Sequence, residues 1–569
     1  MTFADYAYER PDLDSLAAQF EELLTEFDRS DAEGQVELVR AIKKLRSGFA
    51  TQQSICHIRH TADTADAFYE AENAWFDEAS PRFEALVSRF SAALVASPHR
   101  AYIAAAFRPQ FIRRTEVALR AFDADTIAQL GEENQLASAY TKLKAQAAIE
   151  FRGETYNLSS IQPLLLDPDP ATRRAAAEAK WAFFAEHEAE IGQLYDELVA
   201  KRTAIARHMG HDTYVPLGYD RMSRTDYGPG EVAAFRRQVR EEIVPLATEL
   251  YERQRERLGL DRLTYFDEGL EYPEGNPTPR GTPEDTVAAA AELYGELSPE
   301  TDAFFALMRE RGLMDLVARD DKATGGYCTY LYDKCVPFIF SNFNGTSGDI
   351  DVLTHELGHA FQMYESRRQP VMEYILPTYE ACEIHSMSME FFAYPWMEGF
   401  FGDAADRYRA AHLETAIKYL PYIAAVDEFQ HRMYEAPELR FAERQAVWQE
   451  LERAYLPHRD YDGLDFLERG GLWMRQSHIF QMPFYYIDYA LAQVCAFQFW
   501  QRDRVNHKEA WGDYLRLCKA GGSESFVELV RLARLDSPFE AGTLRGVVRG
   551  LRDYLGLPAA DAVAGVAAA

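Results

Sequence analysis

The sequence predicts a mainly helical protein with a small β-sheet, and three observations indicate this fold class. Long segments, such as 170–210 and 230–259, carry apolar residues at i, i+3, i+4 and i+7 with charged residues between them. Helix start signals precede several of these segments, for example Asp169 followed by Pro170. Only a few short stretches interrupt the helical pattern. Together these observations predict an all-α body with strands confined to small regions.

The interruptions predict where the strands and loops lie. Residues 149–161 are expected to form a short hairpin around Gly153, and the Gly/Pro-rich residues 259–285 are expected to form a surface loop. Residues 324–349 alternate apolar and polar side chains between glycines and a proline, which predicts two or three β-strands. The small, featureless segment 557–569 is expected to be frayed.

The length of 569 residues is more than one small core needs. We place a loose boundary near residue 190. It separates an N-terminal helical region, 1–190, from a region, 191–569, that contains the motif described below.

Charge and cysteine usage restrict the partners and the compartment. The formal net charge of −31 argues against binding nucleic acid or anionic lipid. The first residues lack the pattern of a signal peptide, and no window has the roughly 18 uninterrupted apolar residues that a membrane span requires. Six cysteines without a regular framework are typical of free thiols. We therefore expect a soluble cytoplasmic protein.

The stretch His355-Glu356-Leu357-Gly358-His359 predicts a metal site. On a helix, His355 and His359 lie one turn apart on one face, so their imidazoles can converge on one ion. Glu356 lies about 100° further round the helix, where it can act as general base for a water at the metal. The alternative is a helix that carries two surface histidines.

Residues near this motif have roles between which the sequence alone does not decide. Ser347 or Asp349 can cap it. Asp351 can orient His355, or it can be an ordinary N-terminal helix charge. Gly358 lets another group approach the helix closely beside the metal.

Two histidines need a third protein ligand for zinc, and the next predicted helix offers candidates. Glu380, Glu383, Met387 and Glu390 fall on one face, whereas His385 faces elsewhere. Helical geometry alone does not choose between Glu380 and Glu383.

These residues resemble the thimet-oligopeptidase and oligoendopeptidase F family of zinc metallopeptidases. The resemblance lies in residues 337–362, in Glu383, which follows His359 by 24 positions, and in Ser386 and Glu390 beyond it. It covers roughly residues 157–555. It implies Glu383 as the third ligand of one zinc ion per chain. It also implies a bilobal ellipsoid with a deep central substrate channel, in which 1–190 forms part of one lobe and 191–569 supplies both channel walls.

A histidine and three tyrosines further along the chain form a second candidate group. By themselves, Tyr485, Tyr486 and Tyr489 are more typical of an aromatic core helix. The resemblance implies instead that His478 and the tyrosines stabilise an oxyanion. Tyr486 and Tyr489 match the family's tyrosines, and Tyr485 remains possible.

The strand at 338–344 is expected to lie at a sheet edge above the metal, where an extended peptide can add to it. Glycines around it fit a structural hairpin equally well.

The motif and this resemblance together predict a zinc-dependent oligopeptidase that cuts internal bonds, as a monomer or homodimer. The resemblance implies short unstructured peptides as substrates, because a channel like the family's excludes folded proteins. Two alternatives remain open. A helical zinc carboxypeptidase shares the motif and needs a cation for the terminal carboxylate of its substrate. A catalytically silent peptide-binding protein has no need of Glu356 as a base. A helical scaffold without a metal is a third possibility.

Overall fold

The computed structural model describes residues 1–319, 321–323 and 325–558, and it confirms the mainly helical fold class. The α-helices of these residues are α1 (Leu13–Arg29), α2 (Ala32–Ala62), α3 (Ala67–Ala96), α4 (Arg100–Phe107), α5 (Pro109–Arg120), α6 (Ile127–Ala145), α7 (Pro170–Glu186), α8 (Glu188–His208), α9 (Tyr214–Arg221), α10 (Pro229–Gln238), α11 (Val244–Arg257), α12 (Pro283–Leu297), α13 (Pro299–Glu310), α14 (Gly348–Ser366), α15 (Tyr379–Phe392), α16 (Met397–Phe401), α17 (Ala405–Glu435), α18 (Phe441–Tyr455), α19 (Asp465–Glu468), α20 (Ser477–Gln481), α21 (Ile487–Asp503), α22 (His507–Ala520), α23 (Phe526–Leu532) and α24 (Thr543–Leu555). The strands are β1 (Ile149–Phe151), β2 (Glu154–Tyr156), β3 (Met314–Val317), β4 (Tyr327–Leu331) and β5 (Val336–Phe343).

The predicted hairpin at 149–161 is present. Strands β1 and β2 pair antiparallel, and Arg152 and Gly153 form the turn between them. Both turn residues have positive φ, 52° and 88°. Two positive φ angles match the right-handed twist of the flanking strands, which is why Gly153 suits this turn.

The strands predicted within 324–349 are β4 and β5, but the sheet has a third member. Its order is β3-β5-β4, with β3 parallel to β5 and β4 antiparallel to it. The expectation that residues 338–344 form a sheet edge is therefore wrong, because β5 is paired on both sides. Burial of nearly every β5 side chain agrees with a central position. Strand β4 is an edge strand of this sheet.

Residues between α11 and α12 form the predicted irregular segment, but part of it is not a surface loop. Asp267 and Glu271 are buried and bind cations on neighbouring helices, Arg173 and Lys418 respectively. Phe266 is buried beside them. The ion pairs compensate the cost of burying the two carboxylates, so this part of the segment can pack against the helices instead of lying on the surface.

Two large hydrophobic cores hold the described helices together, and a third, small cluster lies around Met363. The smaller of the two large cores lies mainly among α1–α5 and includes Phe20, Phe83 and Phe111. The larger core extends through the remaining helices and contains the segments that form the site. Residue 190, near which the boundary was predicted, lies in the first turn of α8, and the boundary stays a prediction. From residue 559 onward, the segment predicted to be frayed lies outside the described residues.

None of the helices in the described part of the chain is long and apolar enough to span a membrane.

Candidate metal centre and active site

Helix α14 begins directly after a turn that its own first residues stabilise. The carboxylate of Asp349 accepts hydrogen bonds from the backbone N–H groups of Asn344 and Gly345, at 2.9 and 2.7 Å. Ser347 occupies the N-cap position without a side-chain capping bond. Of the two predicted caps, Asp349 thus stabilises the turn that precedes the helix, and this turn fixes the direction in which α14 leaves β5.

Gly358 allows α14 and α15 to cross in direct contact. A Cβ atom at Gly358 would lie 2.6 Å from Ser386 Cα and 2.8 Å from the carbonyl oxygen of His385. Only glycine fits there, because the neighbouring atoms belong to the backbone of α15. The close approach predicted at Gly358 is therefore made by the second helix, which carries Glu383.

This crossing brings the three predicted metal ligands together. One ligand atom from each of His355, His359 and Glu383 lies within 4.8 Å of the other two. Glu383 Oε2 is 3.3 Å from His355 Nε2 and 3.6 Å from His359 Nε2. Glu380, the other candidate, is fully buried and does not join this group. Two imidazole nitrogens and one carboxylate oxygen are the donor set of many catalytic zinc sites, so the residues fit that ion.

The ionisation of the three side chains is tightly coupled. Burial opposes the charge on Glu383, but the neighbouring histidines outweigh it and lower the pKa of this carboxyl to about 2. Burial also opposes the charge on His355, yet hydrogen bonds with Glu383 and Glu390 raise its pKa. Burial lowers the pKa of His359 to about 4. Without a cation, a proton on His355 balances the two carboxylates, and a bound metal would displace it.

Glu390 holds His355 from the side opposite the ligand cluster. Its Oε1 lies 2.7 Å from His355 Nδ1, and its Oε2 lies 2.9 Å from His412 Nε2. The other ring nitrogen of His412 is 2.8 Å from the hydroxyl of Tyr394. A carboxylate on Nδ1 fixes the imidazole so that Nε2 faces the cluster. Seven residues separate Glu390 from Glu383, which places both on one helix face, but no sequence signal indicated His412.

Asp351 does not contact His355. Its carboxylate accepts a hydrogen bond from the hydroxyl of Tyr408 on α17. Of the two interpretations left open for Asp351, direct orientation of His355 is therefore wrong. Glu390 occupies that position instead.

Glu356 lies half-buried beside the ligand cluster. Burial raises the pKa of its carboxyl to about 7, and the carboxylates of Glu383 and Glu390 act in the same direction, while His355 opposes them. A carboxyl with a raised pKa next to a ligand cluster suits proton transfer near neutral pH.

His478 faces the same region with a defined tautomer. Gln476 Nε2 lies 2.7 Å from His478 Nδ1, and Tyr422 donates to the amide oxygen of Gln476 at 3.0 Å. The tyrosine fixes the amide so that it donates to Nδ1, which leaves the imidazole proton on Nε2. Burial, assisted by the charge of Lys144, lowers the pKa of His478 to about 4, so the ring is neutral at pH 7.

The three tyrosines occupy different positions. The Tyr485 hydroxyl donates to Glu383 Oε1 at 2.7 Å. Tyr486 is hydrogen-bonded to Tyr419, a residue of α17 that the sequence did not single out. The rings of Tyr486 and Tyr489 lie 4.7 and 5.9 Å from the His478 ring. The structure thus gathers all three tyrosines around His478, with Tyr485 bound to the predicted ligand.

Two adjoining cavities open beside this group. The larger one has a volume of about 740 Å³ and is lined by His478, Tyr486 and Tyr489. The second has a volume of about 440 Å³ and reaches Asp351 and His412. Four residues line both cavities: Gln162, Lys180, Tyr419 and Arg475. The two cavities therefore adjoin each other, and their walls include His412 and His478, which lie beside the candidate metal centre.

Comparison with known proteins identifies two matching family models. Residues 3–122 match the peptidase M3 N-terminal domain, and residues 164–548 match peptidase family M3. A comparison with curated proteins found no match.

Solved structures resemble the chain over nearly its whole length. Pz peptidase A, solved with an inhibitor, is 52% identical, with a TM-score of 0.93 over 97% of this chain and 99% of that chain. A structure described as an oligoendopeptidase F is 53% identical, with a TM-score of 0.93 over 98% and 99% of the two chains. Another, described as an oligoendopeptidase F from Bacillus anthracis strain Ames, is 47% identical, with a TM-score of 0.89 over 98% of each chain. The resemblance inferred from the motif is confirmed, and the chain belongs to peptidase family M3.

Proposed function

We propose that this peptidase is a zinc-dependent oligopeptidase that hydrolyses internal bonds of short, unstructured peptides. One observation carries the proposal: two imidazole nitrogens and a carboxylate oxygen converge within 4.8 Å beside a half-buried glutamate. His355, His359 and Glu383 would hold one zinc ion per chain. Their donor set leaves a fourth position for water or substrate, as catalytic zinc sites require.

Zinc at this position would polarise the scissile carbonyl and lower the pKa of a nearby water molecule. Glu356 accepts the proton of that water as it attacks and passes it to the leaving amine. Its raised pKa supports both steps, since the carboxyl can take up and release a proton near neutrality.

The oxyanion formed by this attack needs hydrogen-bond donors. His478 supplies its Nε2–H, because Gln476 occupies Nδ1. Tyr486 and Tyr489 line the same cavity and supply hydroxyl donors. Tyr485 positions Glu383 in the present conformation, and it becomes a donor to substrate only when it releases that carboxylate.

Strand β4 offers a surface for an extended peptide. Within the described residues, β4 pairs with no strand other than β5, and helix α2 reaches its end, where Ser54 donates to the carbonyl oxygen of Tyr330 at 3.3 Å. The part of β4 before Tyr330 offers main-chain groups to an added strand. Cys328 Sγ in this strand lies 3.8 Å from Met363 Sδ on α14, the helix that carries Glu356, and this contact supports a position of β4 beside the proposed general base. A peptide on β4 therefore passes alongside Glu356.

We also propose a cytoplasmic location, supported by six free cysteines, which a reducing compartment maintains. The occurrence of the protein as a monomer or a homodimer stays a prediction.

The Glu356→Gln variant tests the function. We expect both proteins to contain one zinc per chain, and we expect the variant to cleave short quenched fluorescent peptides about 10²–10⁴-fold more slowly, because the base is lost while the ligands remain. Metal analysis and product mass spectrometry measure these two results. Internal cuts support an oligopeptidase. Release of single C-terminal residues would instead favour the carboxypeptidase, and zinc without any cleavage would favour a binding protein.

A further inference from the structure

Three basic side chains meet beside the active site without acidic partners. Lys144, Lys180 and Arg475 line the larger cavity together with His478. No aspartate or glutamate lines this cavity, although the chain has 91 acidic and 60 basic residues. In the described part of the chain, no carboxylate oxygen lies within 4.0 Å of these three cations. The cavity therefore carries an uncompensated positive charge within a strongly acidic protein.

Two other cations line the adjoining cavity, which Lys180 and Arg475 also reach, and these two have acidic partners. Lys418 Nζ is 2.6 Å from Glu271, and Arg459 Nε is 2.9 Å from Glu268. Each of these charges is neutralised by its own buried carboxylate. Other buried cations in this region thus have carboxylate partners. Among the described residues that line the two cavities, the lack of such partners is specific to Lys144, Lys180 and Arg475.

The protein holds the three cations in place with neutral groups. Lys144 donates to the carbonyl oxygen of Arg475 at 3.1 Å and to Ser477 Oγ at 2.7 Å. The guanidinium of Arg475 stacks over the Tyr422 ring, with its carbon 5.0 Å from the ring centroid. Lys180 is only 8% exposed, and no hydrogen bond from its ammonium group to the described residues is present. Its ammonium nitrogen lies 5.7 Å from the centroid of the Trp181 ring, so an aromatic face accompanies this charge but, among the described residues, no carboxylate does.

Burial and mutual repulsion disfavour the charges in the free protein. Burial, followed by the charges of Arg475 and Lys144, lowers the pKa of Lys180 to about 7. Burial and Arg475 lower the pKa of Lys144 to about 8. An anion placed among these groups would relieve both effects, because an opposite charge stabilises the protonated forms.

We propose that Lys144, Lys180 and Arg475 form a subsite that binds a carboxylate of the peptide substrate. The proposal rests on the proposed peptidase function, since it deepens the specificity of the same channel. The carboxylate comes either from the free C-terminus of the peptide or from an aspartate or glutamate side chain. Either source supplies the same planar anion, for which a guanidinium and two ammonium groups are suitable donors.

The position of the subsite connects it with catalysis. Lys144 bonds Ser477, and Arg475 precedes Gln476, which orients His478. A carboxylate bound there therefore lies a short distance beyond the groups that receive the oxyanion. It would anchor one end of the peptide and fix how far the scissile bond lies from that end.

Two matched peptide pairs test this proposal. In the first pair, the peptides differ only by a free or an amidated C-terminus; in the second, by an internal Glu or Gln. Fluorescence anisotropy measures their binding to the Glu356→Gln protein, and cleavage by the unaltered protein gives kcat/KM. We expect the carboxylate member of one pair to bind about tenfold tighter, as a charge-assisted hydrogen bond predicts. The pair that shows this preference identifies the source.

We expect Lys144→Met and Lys180→Met, each combined with Glu356→Gln, to abolish this preference. The ratio of the two dissociation constants within the peptide pair should then be close to one. Lys142→Met serves as the control, because Lys142 lies on the same helix but is exposed, and it should leave the preference unchanged. Thermal melting verifies that each variant folds. If Lys180→Met does not fold, Lys144→Met still tests the proposal, because Lys144 is only half-buried. Equal binding within both pairs would overturn the proposal, as would a preference that survives in the folded lysine variants.

Failure of the subsite and failure of the proposed function are distinguishable. If no peptide is cleaved but the binding preference persists and depends on the lysines, the peptidase mechanism is wrong and the subsite stands. If neutral and acidic peptides are cleaved and bound equally well, the subsite is wrong and the peptidase stands.

Discussion

At the residue scale, the candidate metal centre depends on side chains that do not themselves contact a metal. Glu390 holds the Nδ1 side of His355, and His412 holds the other oxygen of Glu390. Such contacts keep an imidazole oriented before the ion arrives. The affinity of the site should therefore depend on Glu390 nearly as much as on its ligands.

We predict that Glu390→Gln lowers the affinity for zinc about 10–100-fold, because an amide on Nδ1 no longer supplies a charged acceptor. Competition with a chromophoric chelator measures this affinity. Asp351→Asn is the matched control, since Asp351 is a nearby carboxylate on α14 that is bonded to Tyr408 rather than to the ligand. An equal loss in both variants would contradict the role of Glu390.

Gln476 determines which ring nitrogen of His478 carries the proton. Replacing it with glutamate removes the donor to His478 Nδ1, so the ring proton moves to Nδ1 and Nε2 no longer donates. We predict that Gln476→Glu lowers kcat about 10–100-fold, with a smaller effect on KM and unchanged zinc content, because one oxyanion donor is lost. Steady-state kinetics and metal analysis test this. A change in KM alone would refute it.

The candidate ligands and Glu390 were accessible from the sequence, but the other side chains that support them were not. Helical spacing placed His355 and His359 on one face, and the resemblance selected Glu383. Gln476, His412 and Tyr419 gain their roles only from distant helices that fold against them. Nothing in the local sequence around these three residues shows which neighbours they meet, so they escaped prediction.

At the scale of elements, the sheet shows the limit of local patterns. The strand at 338–344 was recognised from its alternation, and its position in the sheet was predicted wrongly. A parallel partner, β3, lies before the predicted strands in sequence and pairs with β5 across a loop. Pairing between separated segments leaves no trace in the pattern of either one.

The crossing of α14 and α15 is the element contact on which the candidate centre depends. We predict that Gly358→Ala destabilises the protein by about 1–3 kcal/mol, because the added methyl group meets backbone atoms that cannot move aside. It should also weaken zinc binding, since the separation of the helices moves Glu383 away from the two histidines. Thermal melting and chelator competition measure the two effects.

Gly512→Ala is the matched control. Gly512 lies within α22, and a Cβ atom there would meet nothing within 4 Å. Because alanine favours a helix over glycine, the control should be neutral or more stable by up to about 1 kcal/mol. If both substitutions behaved alike, helix propensity rather than the crossing would explain the result at Gly358.

At the scale of the whole molecule, the helical body encloses ionisable groups outside the candidate ligand cluster. His431 is buried, and its Nε2 is 3.1 Å from the Tyr219 hydroxyl. Burial lowers the pKa of His431 from 6.5 to about 4, against the opposing effect of Asp427. The unfolded chain therefore binds a proton more readily than the folded one. This histidine stabilises the fold fully above pH 6.5, and its contribution is lost as the pH falls toward 4.

We predict that His431 accounts for a loss of about 2 kcal/mol in the free energy of unfolding between pH 7 and pH 5. Urea unfolding at both pH values measures it. In His431→Gln, which cannot titrate, the decline over the same range should be smaller by this amount. Identical declines in the two proteins would exclude His431 as the source.

The mainly helical class and the membership of a peptidase family were predicted from periodicity and from one motif. The turn between α11 and α12 was predicted to be irregular, yet its burial was not foreseen. Its inward path depends on ion pairs with helices before and after it in the chain. Composition indicates that a segment lacks regular structure but not which surface it covers.

The hydrogen bond from Tyr485 to Glu383 joins two parts of the molecule that are far apart in sequence. The carboxylate that completes the ligand cluster also holds the tyrosine segment that faces the substrate. If these side chains bind a metal, this contact couples the ion to the tyrosine segment. Hydrogen exchange around residues 482–489, compared with zinc and after chelation, would then report metal occupancy without any peptide present.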